Sequence, residues 1–220
     1  MLVVPETANP DKVAAMENLG AELVRHGPDF DAAREHCEQL RTVNQLRYVH
    51  SANEPDLICG VGTYGVEILE DCPEVDVILV SVGLGSGVCG TAPAAAGLRP
   101  QTRVVGGQAE GAPAVARTWR EGRDVVLDRI DTFAEGMATR VPASMTMEIM
   151  RRYVADMVLV SDDELRQAIR WLLQHTHNLA EGAGAASTAA AWKLRHSLAG
   201  KTVVGVLTGG LVKLFEKARH

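Results

Sequence analysis

The stretch that decides the fold is Val80-Ser81-Val82-Gly83-Leu84-Gly85-Ser86-Gly87. It closes an apolar run, Val77-Ile78-Leu79-Val80, with a glycine-rich turn, and the small residues Val88-Cys89-Gly90-Thr91-Ala92 follow. A continuous aliphatic run is how a strand covered on both faces reads. A turn of this kind between a buried strand and a helix gathers several backbone N–H groups at the helix N-terminus, where an anion such as phosphate is favoured. The plainer reading is a tight strand-to-helix turn that uses glycine only for its backbone angles. Ligands of open parallel sheets sit beyond the carboxyl ends of the strands, which is where this turn falls.

Outward from it, short aliphatic runs alternate with helical periods. Candidate strands are Leu2–Val4, Glu22–Val24, Arg47–Val49, Val75–Val82, Arg103–Gly106, Met157–Val160 and Thr202–Leu207. Strands separated by helices predict an α/β fold with a largely parallel sheet. Asn9-Pro10 predicts a helix start, with Val13, Met16 and Leu19 on one face. Ser161 and Glu164 form a capping box, followed by Leu165, Ala168, Ile169, Leu172 and Leu173 at helical spacing. Polar residues at Ser51–Pro55 mark a boundary, giving a small domain over 1–50 and a larger one over 51–220.

Composition narrows the function classes. The net charge of -6 leaves no electrostatic footprint for nucleic acid or an anionic membrane. No apolar stretch is long enough to span a bilayer. Cys37, Cys59, Cys72 and Cys89 are scattered without a C-x-x-C, so thiols in a reducing compartment are expected, with the cytoplasm as the default location. His175-x-His177 ends a helical period, where a cation is favourable, and has no partner suited to a metal. His36 and His50 have no visible catalytic partner either. Gly85-x-Gly87-x-x-Gly90 fits the dinucleotide fingerprint, with Gln108 and Glu110 near the place of a ribose-binding acid. Gly60-x-Gly62-x-x-Gly65 fits it equally well. A Rossmann-type nucleotide domain is therefore the alternative reading.

Several segments in order resemble one family. They are Asn53-Glu54-Pro55 with Cys59-Gly60-Val61-Gly62-Thr63, then Val80–Gly87, and then Asp131-Thr132-Phe133-Ala134-Glu135-Gly136-Met137-Ala138. Val160-Ser161-Asp162-Asp163-Glu164, Asn178–Ala186 and Thr208-Gly209-Gly210 complete the set. Together these resemble the pyridoxal-phosphate enzymes of fold type II, of the threonine/serine dehydratase kind, from about Leu2 to Gly210.

The resemblance implies pyridoxal phosphate as cofactor, a small hydroxyamino acid as substrate, and removal of ammonia by β-elimination to give a keto acid. It implies that the backbone of Gly83, Leu84, Gly85, Ser86 and Gly87 holds the phosphate. Thr208 stands where the family has a serine facing the pyridine nitrogen. Glu181 matches a family carboxylate near the cofactor, and competes there with a helix-start role. Asn53 lies within a residue of a family asparagine near the ring. Some relatives hold a divalent metal beside the site; Gln108, Ala112 and Ala114 occupy those positions here, so no metal is expected.

The departures matter equally. The family's Schiff-base lysine and its ring-gripping asparagine loop lie upstream of the matched region, and Lys12, Lys193, Lys201, Lys213 and Lys217 do not stand in that motif. The chain thus corresponds to the C-terminal two-thirds of such an enzyme. It is expected to be inactive alone, or a non-catalytic binder of a phosphate ligand. Leu84 replaces a glycine and Leu211 an asparagine. Pro93 is expected to kink or shorten the helix after the turn, and the tail Leu211–His220 reads as a short basic helix. An uncovered small-domain edge implies a homo-oligomer, with Met1–Val49 least protected from exchange.

Overall fold

The computed structural model describes residues 1–210; the tail and its expected helix lie outside them. The chain divides into two compact units, Met1–Val49 and His50–Gly210. The first is a β-α-β-α unit: β1 (Leu2–Val4), α1 (Pro10–Asn18), β2 (Leu23–Arg25) and α2 (Phe30–Asn44). The two strands pair in parallel, Val3 opposite Val24. Asn9 caps α1 by accepting from the Asp11 amide, with Pro10 at the first helical position. Val13 is buried, as its spacing predicts, but Leu19 is 89% exposed because it falls past the last turn, at the C-cap.

Arg47–Val49 does not form the expected strand. Helix α2 ends at Gln45 in the left-handed region (φ 54°), and the chain leaves it as irregular backbone, with Val49 exposed. The apolar pair in Tyr48-Val49 has the composition of a strand, but a strand needs a hydrogen-bonding neighbour, and among the described residues the sheet of this unit contains only β1 and β2.

The second unit runs α3 (Pro55–Asp71), β3 (Val77–Ser81), α4 (Ser86–Leu98), β4 (Arg103–Ala109), α5 (Ala114–Glu121), α6 (Ser144–Tyr153), β5 (Asp156–Val160), α7 (Asp162–Trp171), α8 (Gly182–Lys193) and β6 (Val203–Gly205). A 3-10 turn covers Glu135–Met137 and a π turn extends α7 over Leu172–Thr176. The sheet is parallel in the order β5-β4-β3-β6. Its central strand explains its own sequence. Ile78, Val80 and Val82 enter one core with residues of α3 to α6, while Val77 and Leu79 enter a second core with α7 and α8. Both faces being covered, no polar residue interrupts the run.

Helix α4 runs through Pro93 to Leu98. The proline forgoes one hydrogen bond but does not shorten the helix, because Val88, Cys89, Ala92 and Ala95 are all held in the first core. Helices α3 and α4 cross at very short range. A Cβ on Gly90 would lie 2.6 Å from the Gly62 nitrogen and 2.8 Å from the Ile58 carbonyl oxygen.

The capping box of α7 forms as its sequence predicts. Ser161 Oγ accepts from the Glu164 amide, and Glu164 Oε2 accepts from the Ser161 amide at 2.7 Å. Lys193 Nζ on α8 also donates to that oxygen, at 2.9 Å. Burial alone would raise the Glu164 carboxyl, but the hydrogen bonds from Ser161 and Lys193 outweigh it and hold the group below its ordinary value. A carboxyl held low contributes stability that is present above its unfolded pKa and lost as pH falls through its folded pKa. Glu164→Ala is accordingly expected to cost about 1 kcal/mol at pH 7. The deficit relative to wild type should shrink as pH falls below the carboxylate range, measured by denaturant melts at each pH.

Candidate functional site

The glycine turn is built by the end of β3 and the start of α4. Val82 donates to Gly107 O at 2.8 Å, which is the last rung holding the strand. Gly85 then turns the chain with φ 101°, a conformation that disfavours a side chain, and serves as N-cap of α4. Its carbonyl accepts from Cys89 N at 2.9 Å. Among the described residues, the amides of Gly83, Leu84, Gly85, Ser86 and Gly87 donate to no protein acceptor. Gly83, Ser86 and Gly87 are partly open to solvent, whereas the Leu84 side chain is buried. Leu84 therefore adds no exposed side chain to the turn. This is a donor set that fits a phosphate: consecutive unpaired N–H groups at the positive end of a 13-residue helix.

The remaining walls are set by close approaches. A Cβ on Gly83 would lie 2.8 Å from Gly136 O, so the segment carrying Gly136 presses directly on the turn. That segment is tethered by Asp162, whose Oδ1 accepts from Thr132 Oγ1 at 2.6 Å and whose Oδ2 accepts from the Phe133 amide at 3.1 Å. Asp162 is one of several acids lining an open cleft of about 350 Å³, with Glu110, Asp131, Asp163, Ser161 and Arg166.

Glu181 precedes α8 and makes no side-chain cap bond to it. Its carboxylate is instead beside Gly209: Oε1 lies 2.6 Å from where a Cβ on Gly209 would be and 3.8 Å from the same position on Gly136. The Glu181 amide donates to Gly209 O at 3.0 Å, which ties the Thr208-Gly209-Gly210 segment to the start of α8. Thr208 is exposed, just past the point where Val206 donates to Leu79 O and extends the β3–β6 ladder. The structure thus links Gly83 to Gly136, Gly136 to Glu181 and Glu181 to Gly209 by successive close approaches, with Thr208 next to Gly209 in the chain. Asn53 makes a contact within the same unit. Its Oδ1 accepts from the Met145 amide at 2.9 Å, so it caps α6 from a distance.

The Gln108 amide, on a fully buried residue, is engaged at both ends: Oε1 accepts from Ala116 N at 2.8 Å and Nε2 donates to Gly83 O at 3.4 Å. The bridging role of Gln108 has no signature in the sequence. The motifs Asp131–Ala138 and Thr208-Gly209-Gly210 pointed to the neighbourhoods of Gly136 and Gly209, but not to their contacts with Gly83 and Glu181.

A parallel sheet covered on both faces, with a turn of amides that have no acceptor among the described residues at a strand's carboxyl end, is an α/β domain with a candidate anion site. The family model for pyridoxal-phosphate-dependent enzymes matches residues 1–209, and the chain belongs to that family. It is 36% identical over 209 residues to the L-threonine ammonia-lyase of Thermotoga maritima, covering 95% of this chain and 52% of that protein. It is 34% identical over 217 residues to the catabolic L-threonine dehydratase of Staphylococcus aureus, covering 97% and 62%. Among solved structures, threonine deaminase isoform 2 from Solanum lycopersicum superposes with TM-score 0.88 at 28% identity, over 96% of this chain and 58% of that one. Maize serine racemase superposes with TM-score 0.88 at 25% identity, over 96% and 66%. These neighbours share the fold type II architecture, and the chain spans about half to two-thirds of the length of the relatives it matches.

Proposed function

We propose that residues 50–210 hold the phosphate of pyridoxal phosphate on the amides of Gly83, Leu84, Gly85, Ser86 and Gly87, with Thr208 toward the pyridine nitrogen and Glu181 beside it. The observation that carries this reading is the row of five successive amides at the start of α4 that have no acceptor among the described residues. When bound, the cofactor supplies an electron sink for chemistry at the α-carbon of an amino acid. The chain's own residues bind and orient it. The turn fixes the phosphate, and the Glu181–Gly209 contact fixes the segment that presents Thr208. A neutral hydroxyl does not protonate the pyridine nitrogen, which suits elimination of a β-hydroxyl better than chemistry needing a long-lived carbanion. The reaction class we assign is that of the threonine ammonia-lyase relatives: conversion of a hydroxyamino acid such as threonine or serine to a keto acid and ammonia.

We further propose that residues 50–210 hold the cofactor by its phosphate without a covalent bond to lysine. The described lysines of this unit are Lys193 and Lys201. Lys193 lies at the far end of α8 from Glu181 and donates to Glu164. Lys201 precedes β6 and so sits at the amino end of the sheet, opposite the turn. Titration with pyridoxal phosphate followed by borohydride reduction and peptide mapping is expected to show saturable binding and no stoichiometric label on any one lysine. A single fully labelled lysine, with long-wavelength absorbance before reduction, would refute the non-covalent mode.

A further inference from the structure

Gln108 is the next-to-last residue of β4, 0% exposed, and its side chain joins two elements that otherwise share no hydrogen bond there. Its orientation is fixed by its partners. Ala116 N is a donor, so it must meet Oε1; Gly83 O is an acceptor, so it must meet Nε2. Ala116 is the third residue of α5, and its N–H is one of those that an α-helix cannot satisfy internally. The Oε1 bond therefore anchors the amide group on a rigid helix end. The NH₂ that remains is held against the carbonyl of Gly83.

That carbonyl belongs to the peptide linking Gly83 to Leu84. A trans peptide is planar, with its C=O and N–H pointing in opposite directions. Drawing Gly83 O toward Gln108 therefore aims Leu84 N–H away from Gln108. This peptide is the part of the turn least constrained by local structure. Gly83 carries no side chain, and helical geometry begins only at Ser86. Ser86 and Gly87 N–H are oriented by α4 itself, but nothing in α4 orients Leu84 N–H.

We infer that Gln108 is a positioning residue that sets the direction of the Leu84 N–H, and so the affinity of the turn for a phosphate group. The inference rests on the phosphate reading of the turn. It assigns Gln108 no contact with the ligand. Its effect passes through the Gly83–Leu84 peptide.

The test uses the full chain labelled with ¹⁵N and titrated with inorganic phosphate and with pyridoxal phosphate. In the wild type, the Leu84 amide resonance should shift saturably together with those of Gly85, Ser86 and Gly87. Gln108→Met keeps the volume and removes both bonds. It should bind both ligands about 10- to 100-fold more weakly, the order expected for one lost hydrogen bond to a charged group. The Leu84 shift should drop out while those of Ser86 and Gly87 persist. Gln108→Leu, neutral and also without either bond, gives the same reading if the methionine variant does not fold. Wild-type affinity and an unchanged Leu84 shift in a folded variant would overturn the inference. A uniform loss of all the shifts would also overturn it, since the residue would then support the turn as a whole. If the wild type binds ligand with no shift anywhere in Gly83–Gly87, the phosphate reading itself fails and the positioning role falls with it.

Discussion

Replacing Ser86 by aspartate is expected to lower the affinity for pyridoxal phosphate by at least two orders of magnitude and to leave the fold as stable as before or slightly more so. Ser86 is the first residue of α4, partly exposed, at a helix start with no side-chain cap. A carboxylate there interacts favourably with the unpaired amides and the helix dipole, by about 0.3–1 kcal/mol. The same carboxylate competes with the phosphate for those amides and repels it. Two like unit charges about 5 Å apart interact by roughly 3 kcal/mol at the effective dielectric of a partly exposed site, already more than a hundredfold in affinity. Ser86→Asn, neutral and of similar size, should bind within a few-fold of the wild type. The opposite signs for folding and binding separate a damaged site from a damaged fold. Absorbance titration alongside a thermal melt reads both, and undiminished affinity in Ser86→Asp would place the phosphate elsewhere.

The second large effect is at the crossing of α3 and α4. Gly90→Ala is expected to destabilise the chain by about 2–4 kcal/mol, beyond an ordinary overpacking change. The atoms met by the new methyl group are the Gly62 backbone and the Ile58 carbonyl, at 2.6–2.8 Å, and backbone in a helix cannot rotate aside. The two helices would have to separate, at the expense of the core that Ile58, Val88 and Cys89 share. Gly60→Ala, two positions before Gly62 on the same helix, meets nothing within 4 Å. It should stabilise by about 0.5–1 kcal/mol through helix propensity alone. At a few degrees per kcal/mol for a protein of this size, the pair should differ by roughly 10 °C in Tm. Equal shifts of one sign would mean that the helices do not cross on Gly62 and Gly90.

That crossing shows where sequence reading runs out. Gly60-x-Gly62-x-x-Gly65 and Gly85-x-Gly87-x-x-Gly90 are the same pattern, yet the first lies wholly inside α3 and the second opens α4. In both, glycines answer to what lies opposite: Gly62 and Gly90 to each other, Gly65 to Thr91, Gly85 to Met150. No local pattern encodes a neighbour tens of residues away. Features closed within a few residues were legible for the same reason. The Asn9-Pro10 start and the Ser161–Glu164 box need only their own turn, and Val77–Val80 announces burial on both faces by lacking any polar residue. Arg47–Val49 failed because apolar composition is necessary for a strand and a partner is also required. The turn at Gly83–Gly87 was visible in sequence as a glycine-rich link between a buried strand and a helix. The engagement of Asn53 with α6 and of Gln108 with Gly83 depends on contacts spanning 92 and 25 residues, and was not.

The account stands most directly on a crystal structure of the chain grown with pyridoxal phosphate. It predicts the phosphate oxygens within 2.7–3.1 Å of the backbone nitrogens of the Gly83–Gly87 turn, in hydrogen-bond range, with Thr208 beside the pyridine ring. Cofactor bound with its phosphate away from the start of α4, or a turn whose amides have closed onto protein carbonyls while the cofactor sits elsewhere, would contradict it.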